Sequence, residues 1–387
     1  MHRHYQNAYS IRPSKAARRG ALLFNVVMSL VLALGILPAA NAKTAFDKTK
    51  PVGLVTTAVG TNVAITWEKL AGAEKYLVYE AETIHMDPAQ GKVPTPKFTK
   101  IKTTKTNKFI TTVDWRGADY KYYVVATKTE NGKTVKSKRS DIRTTTIPRS
   151  GKSTIKNLLR AGIAPMGSTM YIWGGGWTGQ ELAGGKMVHS TGISAKWRQF
   201  AAKQNKNYNY KNYRFKRNLG LDCSGFVGYC VYNVMETKNG MPSYVTFASQ
   251  EGKMYAKRGF GTYVAASKVK DRKAGDIMTS SGHVWISLGQ CSDGSAVVLH
   301  SSPPVVGMAG TASKTGKSES KAVKLVRQYM KKYYPALYKK YPNSIYRGSY
   351  YNTSYGRMRW NDKTLKDPEG YRRMSAEQVM KDLFDER

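Results

Sequence analysis

Between Lys50 and Thr146 the chain repeats one pattern, short runs in which apolar and polar residues alternate, and no other feature limits the fold as strongly. Val63-Ala64-Ile65-Thr66-Trp67, Tyr76-Leu77-Val78-Tyr79-Glu80 and Tyr122-Tyr123-Val124-Val125-Ala126 have a period of two and are rich in β-branched and aromatic side chains. Strands with one buried face require that composition and spacing. Asn131-Gly132 marks a hairpin turn ahead of Thr134-Val135-Lys136, because both residues tolerate the positive φ of a two-residue turn. Short strands at regular intervals, without a long helical pattern among them, bury their apolar faces as two sheets face to face. Residues 43–146 are therefore expected to form an all-β sandwich, with Trp67 in its core.

The segment resembles a fibronectin type III domain at Pro51, Val63, Ile65, Trp67, Tyr76, Val78, Tyr79, the Tyr120-x-Tyr122-x-Val124-x-Ala126 strand and Ser140. The resemblance implies a spacer or adhesive module and assigns it no chemistry.

Composition decides what surrounds such a module. The 387 residues carry 63 Lys+Arg against 25 Asp+Glu, a formal net charge of +38, and 41% of them are hydrophobic. That apolar and aromatic content excludes a disordered polymer. A folded chain this basic implies a polyanionic partner: nucleic acid, an anionic membrane surface or the anionic polymers of a cell wall. The N-terminus narrows the choice. Arg3, Arg12, Lys15, Arg18 and Arg19 lead, without an acid, into the apolar run Ala21 to Leu37, then Pro38 and Ala40-Asn41-Ala42. This is the order of a signal peptide, here residues 1–42, cut before Lys43. A retained single-pass anchor is the alternative, since about 20 apolar residues span a bilayer. Either way the charge stays with the exported part, and the expected location is secreted and wall-associated. Peptidoglycan is the expected partner, with anionic wall polymers held by the basic surface, no specific nucleic acid, and membrane contact only transient or through an uncleaved anchor.

Thr144 to Ser153, with Pro148, Ser150 and Gly151, reads as a linker centred on residues 147–153. Gly151-Lys152-Ser153 looks like the end of a phosphate-binding loop, but Thr146 stands where the first glycine is needed and no apolar strand precedes it. Residues 154–387 mix helical segments with later alternating strands, as in an α+β fold.

The chemistry-bearing residues lie in this second segment. Leu221-Asp222-Cys223-Ser224-Gly225 precedes Phe226, Val227, Cys230, Val231 and Val234 at helical spacing. Asp222 suits the N-cap, which puts Cys223 on the first turn. There the helix dipole and unpaired N–H groups are expected to lower the thiol pKa. His283 opens an alternating strand after Ser281-Gly282, and His300 closes the next one. An antiparallel pairing of the two would set the imidazoles side by side, as nucleophile, base and orienting group require. A helix-borne Cys followed by a strand-borne His is a papain-like arrangement, and the spacing leaves peptidase, amidase and acyltransferase open.

The second segment resembles the NlpC-type family of cell-wall cysteine peptidases. The matching residues are Asp222-Cys223-Ser224-Gly225-Phe226-Val227, Gly275-Asp276-Ile277 leading to His283-Val284, the later His300, and the upstream Tyr171-Ile172-Trp173-Gly174-Gly175. The resemblance implies a Cys-His-His triad with Cys223 as nucleophile, His283 as base and His300 holding the His283 imidazole. It implies a substrate as well, the peptide stems of peptidoglycan, cut at the bond joining γ-D-glutamate to a diamino acid. Tyr171 would lie beside the nucleophile, and Asp222 and Ser224 would help bind the amino end of the stem. The basic, Tyr- and Asn-rich stretch Lys203 to Arg217 and the stretch Lys314 to Tyr351 look like insertions that bear on specificity.

Gly174-Gly175-Gly176 reads as a tight turn rather than an anion cradle. Cys230 lies seven residues beyond Cys223, too far along a helix for a disulfide, and either pairs with Cys291 or stays a buried thiol. No metal or other cofactor is expected, because the Cys and His residues form no close ligand pairs. Val323, Val326, Met330, Tyr333, Leu337 and Tyr341 predict an amphipathic helix that Pro335 must break. The expectation is a secreted peptidoglycan hydrolase acting through a thioester. An amidase at the sugar–peptide junction and a non-catalytic wall-binding adhesin are the alternatives.

Overall fold

The computed structural model describes residues 45–59, 62–84, 95–113, 118–146, 153–177, 192–235 and 243–384. The signal segment 1–42 and linker residues 147–152 lie outside the described residues.

Strands β1 (Val55–Val59), β2 (Asn62–Thr66) and β5 (Lys108–Thr112) make one sheet, in the order β1-β2-β5. A second sheet runs β4 (Thr99–Thr104), β3 (Lys75–Ile84), β6 (Ala118–Glu130) and β7 (Lys133–Arg139), and β8 (Arg143–Thr146) also pairs with β6. The alternation read from the sequence sets their facing sides. Val63, Ile65, Tyr76, Val78, Tyr122, Val124 and Ala126 are buried. Trp67 is 3% exposed, and its ring meets Tyr76 edge-on with centroids 5.3 Å apart. At the β6–β7 hairpin Asn131 and Gly132 take φ of 50° and 74°, the two positive values that the strand twist favours in such a turn.

The α/β unit begins at Ser153. Thr154 caps α1 (Ile155–Ile163) by accepting the Asn157 N–H, and it bridges in parallel to Lys366 near the far end of the chain. A nine-stranded sheet follows the order β10 (Gly220–Leu221), β9 (Met170–Tyr171), β15 (Val305–Thr311), β14 (Ala296–Ser302), β13 (Val284–Gln290), β12 (Ile277–Thr279), β17 (Gly356–Trp360), β11 (Gly261–Val264), with β16 (Tyr346–Arg347) beside β15. The central strands β12 to β15 are antiparallel neighbours.

Because side chains alternate across a strand, these four present two apolar faces. Ile286, Leu288, Val297, Leu299 and Met308 join the main core with α1 and with α3 (Cys223–Met235). Trp285, Met278, Val298 and Ala309 form a smaller core with Tyr351 and Tyr355. Buried residues go all round α3, as expected of a helix inside a unit rather than on its surface.

The remaining helices are α2 (Ala195–Ala202), α4 (Ala248–Lys257), α5 (Lys321–Tyr333), α6 (Pro335–Lys340), α7 (Tyr350–Thr353) and α8 (Ala376–Leu383). Pro335 ends α5 and starts α6, because a proline is accepted at a first helical position and not in the interior. The predicted apolar stripe, from Val323 to Tyr341, is buried across both helices. Cys230 and Cys291 are separate buried thiols, as is Cys223. Among the described residues no helix is long and apolar enough to cross a membrane.

Candidate active site

The nucleophile candidate is fixed by the cap of α3. The Asp222 carboxylate accepts the Gly225 N–H at 2.7 Å, the N-cap bond to the third helical residue, and so places Cys223 at the first position. Around this helix start the glycine turn 173–176 closes tightly. Gly174 and Gly176 have φ of 78° and 83°, the Asp222 N–H bonds to Gly175 O at 2.9 Å, and a Cβ on Gly225 would lie 2.1 Å from that same oxygen. The glycines therefore serve a close backbone approach.

Asp222 and Ser224 face this turn. Oδ1 of Asp222 also accepts from Ser224 Oγ at 3.1 Å and Trp177 Nε1 at 3.2 Å, and Oδ2 accepts the Gly174 N–H at 3.2 Å. Trp177 donates to Ser224 Oγ as well, at 3.0 Å. Burial pushes the Asp222 carboxyl up to about 6, with these donors opposing the shift. Both side chains thus clamp the turn to the helix, and Trp177 completes the clamp. Its only sequence signal was its place at the end of the Trp173-Gly-Gly-Gly-Trp177 run.

Cys223 is 8% exposed and lies near the backbone of Val284 and Ser224, whose N–H groups favour its thiolate. The Val284 contact brings the thiol to the head of β13, one residue from His283. The sequence pointed to a lowered thiol pKa, and the structure reverses that sign. Burial pushes the thiol up, the Asp222 charge adds to it, and the two N–H groups offset only part. Tyr171, 6% exposed, lies close enough for Cys223 and Asp222 to raise its hydroxyl pKa after burial has done most of that. Its ring meets Tyr210 at 5.3 Å and its carbonyl accepts the Tyr208 hydroxyl at 2.7 Å, so the basic insertion reaches the site at this point.

The two histidines meet as the antiparallel pairing requires. β13 and β14 pair in the register Ile286 to Leu299, which puts His283 and His300 at one end of the sheet, and His283 Nε2 lies 2.9 Å from His300 Nδ1. His300 is buried and His283 half-buried. Burial, with the nearby Arg347 guanidinium, pulls His283 down to about 3 and His300 well below its ordinary value.

Three neighbours escaped the sequence reading. The Tyr351 ring lies 5.9 Å from His283 and 6.4 Å from His300, and Tyr355 lies 6.5 Å from His283. Arg347 Nη2 lies 3.2 Å from His300 Nε2. All three come from the C-terminal part of the chain, and β16 carries Arg347 there through its parallel pairing with the end of β15, Thr311 opposite Arg347. No local motif marks such a contact.

Gly275-Asp276-Ile277 sets the approach to His283 structurally. Asp276 accepts both Nε and Nη2 of Arg359, at 2.8 and 2.7 Å, along with the Lys273 N–H at 2.8 Å, and its own carbonyl accepts the Ser287 N–H.

The sequence matches no protein-family model and no curated protein. Among solved structures, its neighbours are fibronectin type III domains. The domain from human fibronectin type III domain containing protein 3 is 18% identical over 29% of this chain and 95% of its own, with a TM-score of 0.20. The FN5 domain of Drosophila Lar is 16% identical over 26% and 97%, TM-score 0.18. The third fibronectin III domain of human KIAA0343 protein is 12% identical over 30% and 96%, TM-score 0.20. At these scores the likeness adds nothing to the strand order β1-β2-β5 facing β4-β3-β6-β7, on which the fibronectin-like character of the sandwich rests.

Proposed function

We propose that the protein is an exported cysteine hydrolase of peptidoglycan stem peptides, with Cys223 as nucleophile, His283 as base and His300 as the group that orients it. The observation carrying this reading is the convergence, at one end of the sheet, of a cysteine on the first turn of α3 with two histidines 2.9 Å apart on adjacent strands. The Val284 N–H, next in the chain to His283, acts on the thiol, which supports His283 over His300 as the base.

The chemistry is acyl transfer. His283 takes the thiol proton as the sulfur adds to the amide carbonyl carbon. The carbon–nitrogen bond breaks, the amine leaves with the proton from His283, and a thioester to Cys223 remains. Water then adds to the thioester with His283 taking its proton, and the acid product leaves as the thiol re-forms. Ser224 N–H and the Tyr171 hydroxyl are the donors beside the thiol for the oxyanion. The γ-D-glutamyl to diamino acid bond is the proposed point of cleavage, on the likeness to NlpC-type enzymes.

The net charge of +38 supports an anionic polymer as the environment. So does the half-exposed Trp173, over which the Arg214 guanidinium lies 5.8 Å from the ring centroid, a surface suited to a sugar ring beside a carboxylate.

The test is mass spectrometry of purified peptidoglycan after incubation with the full-length protein and with Cys223→Ala. Fragments split after γ-D-glutamate, absent with the variant, are expected. Fragments split between sugar and stem would select an amidase instead. An intact wall that still pellets with both proteins would leave the adhesin and overturn the hydrolase.

A further inference from the structure

The hydrogen bonds of the histidine pair decide which of its nitrogens hold protons, and their bearing on reactivity rests on the proposed pairing of Cys223 with His283. A guanidinium has donors only. With Arg347 Nη2 3.2 Å from His300 Nε2, that nitrogen accepts and carries no proton. Neutral His300 then holds its proton on Nδ1, which lies 2.9 Å from His283 Nε2. His283 Nε2 is in turn the acceptor, and neutral His283 holds its proton on Nδ1. Each bond fixes the tautomer of the next ring.

Base catalysis requires the reverse arrangement. With Nε2 of His283 turned to His300, Nδ1 is the nitrogen left for the thiol, and it must be bare to accept a proton. The His283 proton must then sit on Nε2 and point at a bare His300 Nδ1, which puts the His300 proton on Nε2, facing an Arg347 N–H. Two donors would oppose each other at that contact.

We propose that Arg347 is a latch on this pair: while its guanidinium holds His300 Nε2 the pair rests in the unreactive tautomer, and His283 serves as base only once the guanidinium has moved off. The anchoring of Arg347 permits that movement. It is half-buried, its Nη1 bonds to Tyr346 O at 2.7 Å, and it sits on the two-residue strand β16. Of the groups facing the pair, Tyr351 on α7, Tyr355 before β17 and Arg347 on β16, only Arg347 brings a guanidinium. Its charge and its hydrogen bond act in the same sense, against a protonated pair. Arg347 is thus a positioning residue that works through His300.

The test reads protons directly. Full-length protein labelled with 15N-histidine, its signals assigned against His300→Gln, is studied by two-bond 1H–15N correlation at pH 7. In the wild type both rings should carry the proton on Nδ1. In Arg347→Met both should shift it to Nε2. Alkylation of Cys223 by iodoacetamide, followed by the mass of its peptide, should become about tenfold faster at pH 7, equivalent to about one pKa unit. Arg347→Lys, whose ammonium likewise only donates, should retain the wild-type tautomers. A wild-type spectrum with the His300 proton on Nε2 overturns the latch. So does an Arg347→Met protein with wild-type tautomers and an unchanged pH profile of alkylation. Should Arg347→Met fail to fold, the wild-type spectrum and Arg347→Lys still decide. No wall substrate enters the measurement, so failure of the hydrolase leaves the latch result legible.

Discussion

Gly225→Ala should destabilise the α/β unit although it improves the helix that carries Cys223. In a helix interior alanine is favoured over glycine by about 1 kcal/mol. Here the new Cβ would sit 2.1 Å from Gly175 O and 3.0 Å from Gly176 Cα, both backbone atoms that no side-chain rotation can move aside. Forcing a methyl into such a contact costs about 1–3 kcal/mol, and a separation this short belongs at the upper end. Moving Gly175 O away also strains the Asp222 N–H bond to it, worth about 1 kcal/mol. The net loss is about 3 kcal/mol, or about 6–12 °C for a unit of this size. Differential scanning calorimetry suits the measurement, because a multidomain chain is expected to melt in more than one transition. Only the α/β transition should fall, with the sandwich transition unmoved. Gly282→Ala is the control: it adjoins His283, its Cβ would meet nothing within 4 Å, and its transition should hold or rise by about 1–3 °C. A Gly225→Ala protein melting within about 1 °C of wild type would refute the argument that turn 173–176 is locked on the helix start.

Two more outcomes follow from buried charge. Asp276→Asn leaves Arg359 facing an amide, with only Asp271 at 2.9 Å as a charged partner, and should cost about 3 kcal/mol, read as a drop in the same α/β transition while the sandwich stays put. For Asp222 the folded-state pKa, about 6, lies above its unfolded value near 4, so folding takes up a proton between the two. The stability this group contributes is full below about pH 4 and lost as pH rises through about 6. Chemical denaturation of wild type and Asp222→Asn should therefore show wild type gaining on the variant as pH falls across that window, and parallel curves would contradict the burial of this carboxyl.

What could be read from the sequence was set by local rules. Period-two alternation gave the sandwich strands, Asn131-Gly132 gave the hairpin, and Pro335 gave the break between α5 and α6, because each depends on backbone preferences within a few residues. The meeting of His283 and His300 was also legible, since two consecutive antiparallel strands bring the start of one to the end of the next. Arg347, Tyr351 and Tyr355 were not. They reach the histidines through a parallel pairing of β16 with β15 and a helix of four residues, and neither feature has a pattern of its own. Asp276 was visible as part of a motif, yet its partner Arg359 lies 83 residues on, so the reason for the motif was hidden.

The sign of the thiol shift shows why a motif fixes position more readily than reactivity. A helix N-terminus favours an anion by about 0.3–1 kcal/mol, up to about 2 in partly buried sites, which is roughly one pKa unit. Full burial moves a thiol upward by as much as about 3–5 units. Cys223 has both, and burial wins, with Val284 and Ser224 N–H groups too weak to reverse it. His283 is pulled the other way by the same burial. Burial thus disfavours the charged form of each, which works against a preformed thiolate–imidazolium pair. In the proposed reaction the proton passes from Cys223 to His283 as the carbon–sulfur bond forms and the oxyanion develops. The measurable consequence is a Cys223 alkylation rate that stays low through neutral pH and climbs only on the alkaline side; a plateau reached below pH 7 would mean that a stored ion pair, not substrate-coupled proton transfer, generates the nucleophile.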